Sequence, residues 1–191
     1  NMGDLSFSFN AWVLIDTLGI STQQNIMSKS WGGGIKFDIK PSSNYFRAIV
    51  SSASDDEYEL FSDTINQSIW YYISVIIDRQ NNSAKMYKNG LLVDTADITN
   101  LGNLDNPTDL HFGNNYWLDT GQLAEYMYGQ IDNVTFWETA LSEQEIQSYM
   151  STPLAGNEEG LVGYWNFNAG EGTTLTDLSG NGNDGTIYGA S

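Results

Sequence analysis

The densest run of oxygen-bearing side chains lies late in the chain, in Asp177-Leu178-Ser179-Gly180-Asn181-Gly182-Asn183-Asp184. Side-chain oxygens recur there at every second position, and the interleaved glycines let the backbone curl so that carbonyls can turn inward too. Calcium takes about 6 to 8 such oxygens in flexible geometry, which makes Asp177, Asn181, Asn183 and Asp184 candidate ligands. The twelfth position from Asp177 is Tyr188, where an EF-hand carries glutamate, and no helical pattern flanks the loop, so that motif is excluded. The same residue types also build turns without any metal, because Asn and Asp side chains bond their own backbone and glycine accepts positive φ. A second acidic run, Asp55-Asp56-Glu57 with Glu59, carries charge for a cation but reads first as a solvated face.

Sugar recognition is a different chemistry, and aromatics outside regular alternation could supply it. Sugar rings stack their apolar faces on aromatic side chains, while Asn, Asp or Gln orient the hydroxyls. Trp31, Tyr45, Tyr58, Tyr116 and Trp117 fall in loop-like sequence, and Gly113 to Asp119 sets Asn114, Asn115 and Asp119 beside Tyr116 and Trp117. The candidate ligand-binding set is therefore Trp31, Tyr58, Asn114, Asn115, Tyr116, Trp117 and Asp119. Trp12, Trp70, Trp137 and Trp165 lie within strand-like sequence and are expected in the core. Nucleophilic catalysis has little to work with: there is no cysteine, and the single histidine, His111, sits in Asp109-Leu110-His111-Phe112-Gly113, an ordinary strand pattern. Trp31-Gly32-Gly33-Gly34 lacks the Lys-Ser/Thr and the following helix of a phosphate loop.

The elements that must position these residues are short strands. Apolar residues alternate in Phe7, Phe9, Ala11 and Val13 and again in Ile35, Phe37 and Ile39, the period of half-buried antiparallel strands. Trp70 to Asp78 is rich in β-branched and aromatic residues; Arg79 to Ser83 turns the chain into Ala84 to Lys88. Asn89-Gly90 then suits a type I′ turn into Leu91-Leu92-Val93, completing a three-strand meander. One short helix is expected near 142–150, where Ser142 and Glu145 form a capping box ahead of Ile146, Tyr149 and Met150, with Pro153 and Gly156 as stops. Gly160 to Asn168 returns to strand chemistry, and Thr186-Ile187-Tyr188 reads as a closing strand.

Composition bounds the function. The 191 residues, 40% of them hydrophobic and 13% aromatic, suit one all-β domain. With 24 acidic against 7 basic residues the net charge is −17, which repels phosphate backbones, so no nucleic-acid partner is expected. No run approaches the roughly 18 apolar residues of a spanning helix, so no membrane insertion is expected.

Several segments in order resemble laminin G-like, pentraxin-like domains of the concanavalin A-like lectin/glucanase superfamily. They are Phe7 to Val13 (FSFNAWV), Met86 to Gly90 (MYKNG), Tyr128 to Val134 (YGQIDNV), Ala140 to Ile146 (ALSEQEI), Gly160 to Phe167 (GLVGYWNF) and Asp177 to Thr186 (DLSGNGNDGT). The resemblance implies a two-sheet antiparallel jelly-roll sandwich over residues 1–191, with 160–191 completing the sandwich or shared with a neighbouring repeat. It implies calcium as a structural cofactor and adds Asp132 to the loop ligands. In glucanases of this superfamily the catalytic carboxylates share one strand as Glu-x-Asp-x-x-Glu. The comparable Gln130-Ile131-Asp132-Asn133-Val134-Thr135 has Gln130 at the nucleophile position and Thr135 at the acid, so no catalysis is expected. The resulting expectation is an extracellular or cell-surface, calcium-stabilised module that binds glycan or a surface protein within a multidomain chain or repeat assembly. The alternative is a structural or protein-interaction domain of an adhesin, array or filament.

Overall fold

Alternation in the first strand sets the architecture. In the computed structural model Phe7, Phe9, Ala11 and Val13 are each at most 1% exposed, while Ser8, Asn10 and Trp12 between them face the opposite way. The structure describes residues 2–30, 33–53, 56–117, 121–168 and 170–189, with the backbone alone for Trp117. Its elements are β1 (Phe7–Ile15), β2 (Gln24–Ser30), β3 (Gly34–Ile39), β4 (Phe46–Ser51), β5 (Glu57–Phe61), β6 (Trp70–Asp78), β7 (Ser83–Lys88) and β8 (Leu91–Asp97). They continue with β9 (His111–Phe112), β10 (Asn115–Trp117), β11 (Gln122–Ala124), β12 (Gly129–Trp137), α1 (Glu143–Ser151), β13 (Leu161–Trp165), β14 (Thr174–Leu175) and β15 (Gly185–Thr186).

Two antiparallel sheets carry the fold: six strands in the order β13-β12-β1-β6-β7-β8, and five in the order β5-β4-β3-β2-β9. Their inner faces meet in one core, with Phe9, Val13, Ile73 and Val75 from the first and Phe37, Phe46, Val50 and Leu60 from the second. Burying each such side chain stabilises the fold by about 1.5–3 kcal/mol relative to exposure. The expected meander is β6 to β8, and its turn is of the expected kind, since Asn89 and Gly90 both have positive φ, 53° and 76°. Gly34 opens β3 at φ 119°, where a Cβ would sit 2.1 Å from the Lys29 carbonyl oxygen, so only glycine fits.

Helix α1 begins with both arms of the capping box in place: the Ser142 hydroxyl accepts from the Glu145 N–H, and the Glu145 carboxylate accepts from the Ser142 N–H. The helix lies on the outer face of the six-stranded sheet, burying Ile146 against Trp137, Tyr72 and Tyr87, with Tyr149 stacked 4.8 Å from Trp137. No helix among the described residues is long and apolar enough to cross a membrane.

Two expectations are corrected here. Trp137 and Trp165 are core residues, but Trp12 is only half-buried and Trp70 is 38% exposed, because both point to the sheet face opposite Phe9 and Val13. The closing strand at Thr186-Ile187-Tyr188 is also not formed as read. Gly185 and Thr186 pair with Thr174 and Leu175 in a separate two-stranded ladder, and Tyr188 is exposed. β13 is the element of this terminal segment that joins a main sheet, pairing antiparallel with β12.

Candidate functional site

The outer face of the five-stranded sheet carries polar side chains where its inner face carries apolar ones. Lys36 and Asp38 alternate with Ile35, Phe37 and Ile39 along β3, and register sets Asp38 between Arg47 of β4 and Asn25 of β2. Arg47 grips Asp38 through two bonds, Nε to Oδ1 at 3.0 Å and Nη2 to Oδ2 at 2.9 Å, and reaches Glu59 Oε1 with Nη1 at 2.7 Å. Asp38 is 0% and Arg47 8% exposed. Burial pushes the Asp38 carboxyl above its ordinary range against the pull of Arg47. For Arg47 burial opposes the charge, and the bonds to Asp38 and Glu59 overcome it and raise its pKa.

Over this face folds the β10–β11 hairpin, whose exit residue Glu125 gathers a second set of contacts. Its Oε2 accepts from Asn25 Nδ2 at 2.5 Å, Asn115 Nδ2 at 3.1 Å and Gln23 Nε2 at 3.5 Å, and lies 3.9 Å from Lys36 Nζ. Its carbonyl accepts from the Asn25 N–H, and its φ is 56°, a left-handed conformation that costs a non-glycine residue about 1–3 kcal/mol. The amides of Asn25 and Asn115 thus turn their nitrogens to one carboxylate, while the Asn25 and Asn114 side-chain oxygens are buried without a partner among the described residues. His111 and Tyr116 stack at 5.6 Å with planes 11° apart, half-exposed beside this network, and burial lowers the His111 pKa. Gln23, Lys36, Glu59 and Tyr116 are partly accessible, so a rigid polar floor carries a few reachable tips.

The residues expected to bind a ligand divide accordingly. Asn114, Asn115 and Tyr116 belong to this site, although Asn115 is buried and holds Glu125. Tyr58 does not: it turns inward against the core, opposite its neighbours Glu57 and Glu59, because β5 alternates. Tyr45 packs edge-on to Phe61 at 5.5 Å. Trp31 and Asp119 lie outside the described residues, as does the Trp117 side chain; the Trp117 backbone pairs with Gln122. Of the second acidic run, Asp55 lies outside the described residues and Glu59 is committed to Arg47. Gln23, Asp38, Arg47 and Glu125 were missed by reading the sequence. Charged residues on an otherwise apolar strand were the visible signal for Asp38 and Arg47.

The terminal loop is organised by hydrogen bonds. Asp177 Oδ1 accepts from the backbone N–H of Tyr164 at 3.0 Å and Ser179 at 2.9 Å, and Oδ2 from that of Asn183 at 2.9 Å. Burial opposes the Asp177 charge, but these bonds outweigh it and hold the carboxyl below its ordinary pKa. Asp184 Oδ1 accepts from the Asp177 N–H at 2.8 Å. Asn181 and Asn183 donate their amide nitrogens to the carbonyls of Leu161 and Val162 at 2.9 and 2.8 Å. A carbonyl cannot donate, so each amide presents its nitrogen there and turns its oxygen to the other side. Asp132 stands elsewhere, opposite Trp12 on β1, accepting from the Asn133 N–H at 2.7 Å. Among the described residues no three His, Cys, Asp or Glu side chains come together to hold a metal. Asp177 and Asp184 are thus engaged in the loop's own hydrogen bonds, and among the described residues Asp132 is not gathered with them.

Among the described residues, a six-stranded and a five-stranded antiparallel sheet packed face to face, with one helix on the back of the larger, define a jelly-roll sandwich. Residues 1–147 match the laminin G-type family model described as the concanavalin A-like lectin/glucanases superfamily, and the chain belongs to that family. No curated protein matches the chain by sequence. Among solved structures it is similar to a candidate carbohydrate-binding protein from Bacteroides ovatus ATCC 8483, with TM-score 0.79 and 19% identity, over 97% of this chain and 53% of that one. It is also similar to the binding domain of Paraclostridial Mosquitocidal Protein 1, with TM-score 0.65 and 16% identity, over 80% of this chain and 39% of that one. The chain thus spans about half or less of either structure's length, and identities this low establish a shared fold.

Proposed function

We propose that this chain is a non-catalytic carbohydrate-binding module of a larger surface or secreted protein, and that it takes glycan on the outer face of the five-stranded sheet. The observation that carries the reading is the locked network of Asp38, Arg47, Glu59 and Glu125 beneath the half-exposed Tyr116 and His111. Buried charges fix Gln23, Lys36 and Glu59 in place, and pre-organised hydrogen-bonding tips beside an aromatic pair suit sugar hydroxyls and ring faces. Kinship with lectins and the similarity to a candidate carbohydrate-binding protein support the ligand class.

The same network argues against hydrolysis. Glycosidases need one carboxyl free to hand over a proton and another free to attack or to activate water. Both Asp38 oxygens are held by Arg47, and Glu125 Oε2 is held by side-chain amides. Location outside the cell is part of the proposal; the excess of acidic over basic residues suits a salty exterior.

The test is titration calorimetry against neutral oligosaccharides, with wild type compared with Glu59→Gln and Tyr116→Ala. Loss of about tenfold or more in affinity in both variants, with unfolding midpoints within a few degrees of wild type, is the expected outcome. Unchanged affinity in both, or release of new reducing ends by the wild type, refutes the reading.

A further inference from the structure

The opposite face of the molecule carries a second assembly of aromatic and polar groups that the proposed site does not use. On the outer face of the six-stranded sheet, Trp12 pairs across strands with Tyr72 and Asp132, and Leu14, two residues along, pairs with Trp70 and Gln130. Helix α1 and residues 152–154 cover one half of this face. Where the cover stops, a cleft of about 140 Å³ remains, lined among others by Trp12, Tyr72, Asn133, Thr135, Tyr149 and Tyr164. Beyond the cleft the sheet is bare: Trp70 is 38% exposed and Tyr128, next to β12, 54%.

The aromatic walls are held rigidly. Trp12 leans on Tyr72 at 5.3 Å and 54°, and Tyr149 is stacked on Trp137. The polar groups are also fixed, with hydrogen-bonding capacity left over. Asn133, at φ 48°, accepts from the Tyr164 hydroxyl at 3.0 Å, which leaves its amide nitrogen to donate. Thr135 Oγ1 accepts from Asn10 Nδ2 at 3.0 Å and Trp137 Nε1 at 2.9 Å, so its own proton is directed elsewhere. Thr135 lines the cleft, and Asn10 and Ser74 continue its cross-strand row into the buried interior of the sheet. In that row Asn10 Oδ1 and Ser74 Oγ, both on residues 0% exposed, have no hydrogen-bond partner among the described residues.

The electrostatics narrow the ligand. Among the described residues no Lys or Arg lines the cleft, and carboxylates bear on its tyrosines: Glu145 and Glu158 on Tyr149, Asp132 and Glu158 on Tyr164. A uronic acid or a sulfated sugar would be repelled. The volume falls well below the roughly 300 Å³ at which pockets begin to take drug-sized molecules, so a single ring fits and an oligomer does not. Aromatic faces beside a free amide and hydroxyl groups match a pyranose, whose C–H face is apolar and whose rim is hydroxyl.

We infer that this cleft and the adjoining Trp70 form a second glycan subsite, which takes one uncharged pyranose residue of a polysaccharide whose chain continues over the open sheet. The module then holds polysaccharide on both outer faces of the sandwich. The inference shares the ligand class of the proposed function and none of its residues.

The experiment is a two-dimensional ¹⁵N NMR titration that follows the tryptophan indole N–H signals, with those of Trp12 and Trp70 assigned from Trp12→Phe and Trp70→Phe. The probes are cellohexaose, laminarihexaose and mannohexaose, with a galacturonate hexamer as the anionic comparison. At least one neutral probe is expected to shift the Trp12 and Trp70 signals saturably, and the galacturonate hexamer to leave them unmoved. Trp70→Ala, which removes an exposed ring and leaves the core intact, is expected to weaken that binding roughly 2- to 10-fold, the contribution of one stacked ring. Glu59→Gln is expected to leave the same signals responding as in wild type. No shift with any neutral probe, an equal shift with galacturonate, or full affinity in Trp70→Ala overturns the inference. If the signals of Glu59, Tyr116 and their neighbours respond alone, the second subsite fails while the proposed function stands; if the Trp12 and Trp70 signals respond alone, the reverse holds.

Discussion

Replacing Asp177 by alanine removes an acceptor on which three backbone N–H groups converge, those of Tyr164, Ser179 and Asn183. A hydrogen bond to a charged group contributes about 1.5–3 kcal/mol, and a buried donor left without a partner costs about 1–3 kcal/mol. Water can reach the loop side once the carboxylate is gone, so the three do not add fully, and the expected loss is about 3–5 kcal/mol. Against a typical total of about 5–15 kcal/mol, that is a large fraction of the stability. The assay is urea unfolding followed by tryptophan fluorescence, since Trp165, whose Nε1 donates to the Asn183 carbonyl, reports on the same loop. It is run in calcium and in chelator at fixed ionic strength, and the same loss is expected in both. The pH dependence has a definite sign. The folded-state pKa of Asp177 is depressed, so its contribution is fully present above the unfolded carboxylate value of about 3.9 and is lost as pH falls through the lower folded value. Wild type therefore loses this increment on acidification, and the variant does not. A loss below about 1 kcal/mol, or one seen only when calcium is present, refutes the hydrogen-bond account and restores a metal to the loop.

Two further perturbations probe the sheets. Arg47→Leu strands the buried Asp38 carboxylate and is expected to destabilise by about 3–5 kcal/mol in the same urea assay, whereas Arg47→Leu combined with Asp38→Leu recovers most of that loss; equal losses would mean that the pair is not coupled. Gly34→Ala forces a Cβ against the Lys29 carbonyl at φ 119°, so soluble expression or thermal midpoint should collapse, and a midpoint within a few degrees of wild type would contradict the register of β2 and β3.

What could be read from sequence was governed by distance along the chain. Alternation in Phe7 to Val13, the Asn89-Gly90 turn and the Ser142–Glu145 capping box are local patterns with local causes, and each is present in the structure. The partners of Asp38 were half legible: Lys36 and Asp38 alternate with core residues and so must face outward. Their burial, however, comes from Glu125 and the hairpin before it, nearly ninety positions away in the chain, and no periodicity reports that. Trp12 and Trp70 show the same limit from the other side. Parity already set Trp12 opposite Phe9 and Val13; only the extent of the cover laid down by α1 and residues 152–154 decides that one tryptophan is half-buried and the other exposed. Tyr58 was misread because it was taken for a loop residue, when the alternation of Glu57, Tyr58 and Glu59 makes it an inward strand residue. At the terminal loop, residue type alone does not say whether an asparagine offers its oxygen or its nitrogen. The carbonyls of Leu161 and Val162 decide that, and they lie about twenty positions away.

Those same bonds have a consequence for how molecules of this protein meet one another. β13 is the outermost strand of its sheet, and an outermost strand ordinarily presents a ladder of bare amides and carbonyls that invites a foreign strand to dock. Here the ladder is already occupied from within: Asp177 takes the Tyr164 amide, the Leu178 amide takes the Tyr164 carbonyl, and Ser179, Asn181 and Asn183 together cover the carbonyls of Leu161 and Val162. Side chains from an irregular loop thus stand in for a neighbouring strand without offering an edge of their own. The loop works as a selvedge, finishing the fabric of the sheet so that it neither frays nor grows, and a crowded solution of the protein has no open seam along this border from which a fibre could start.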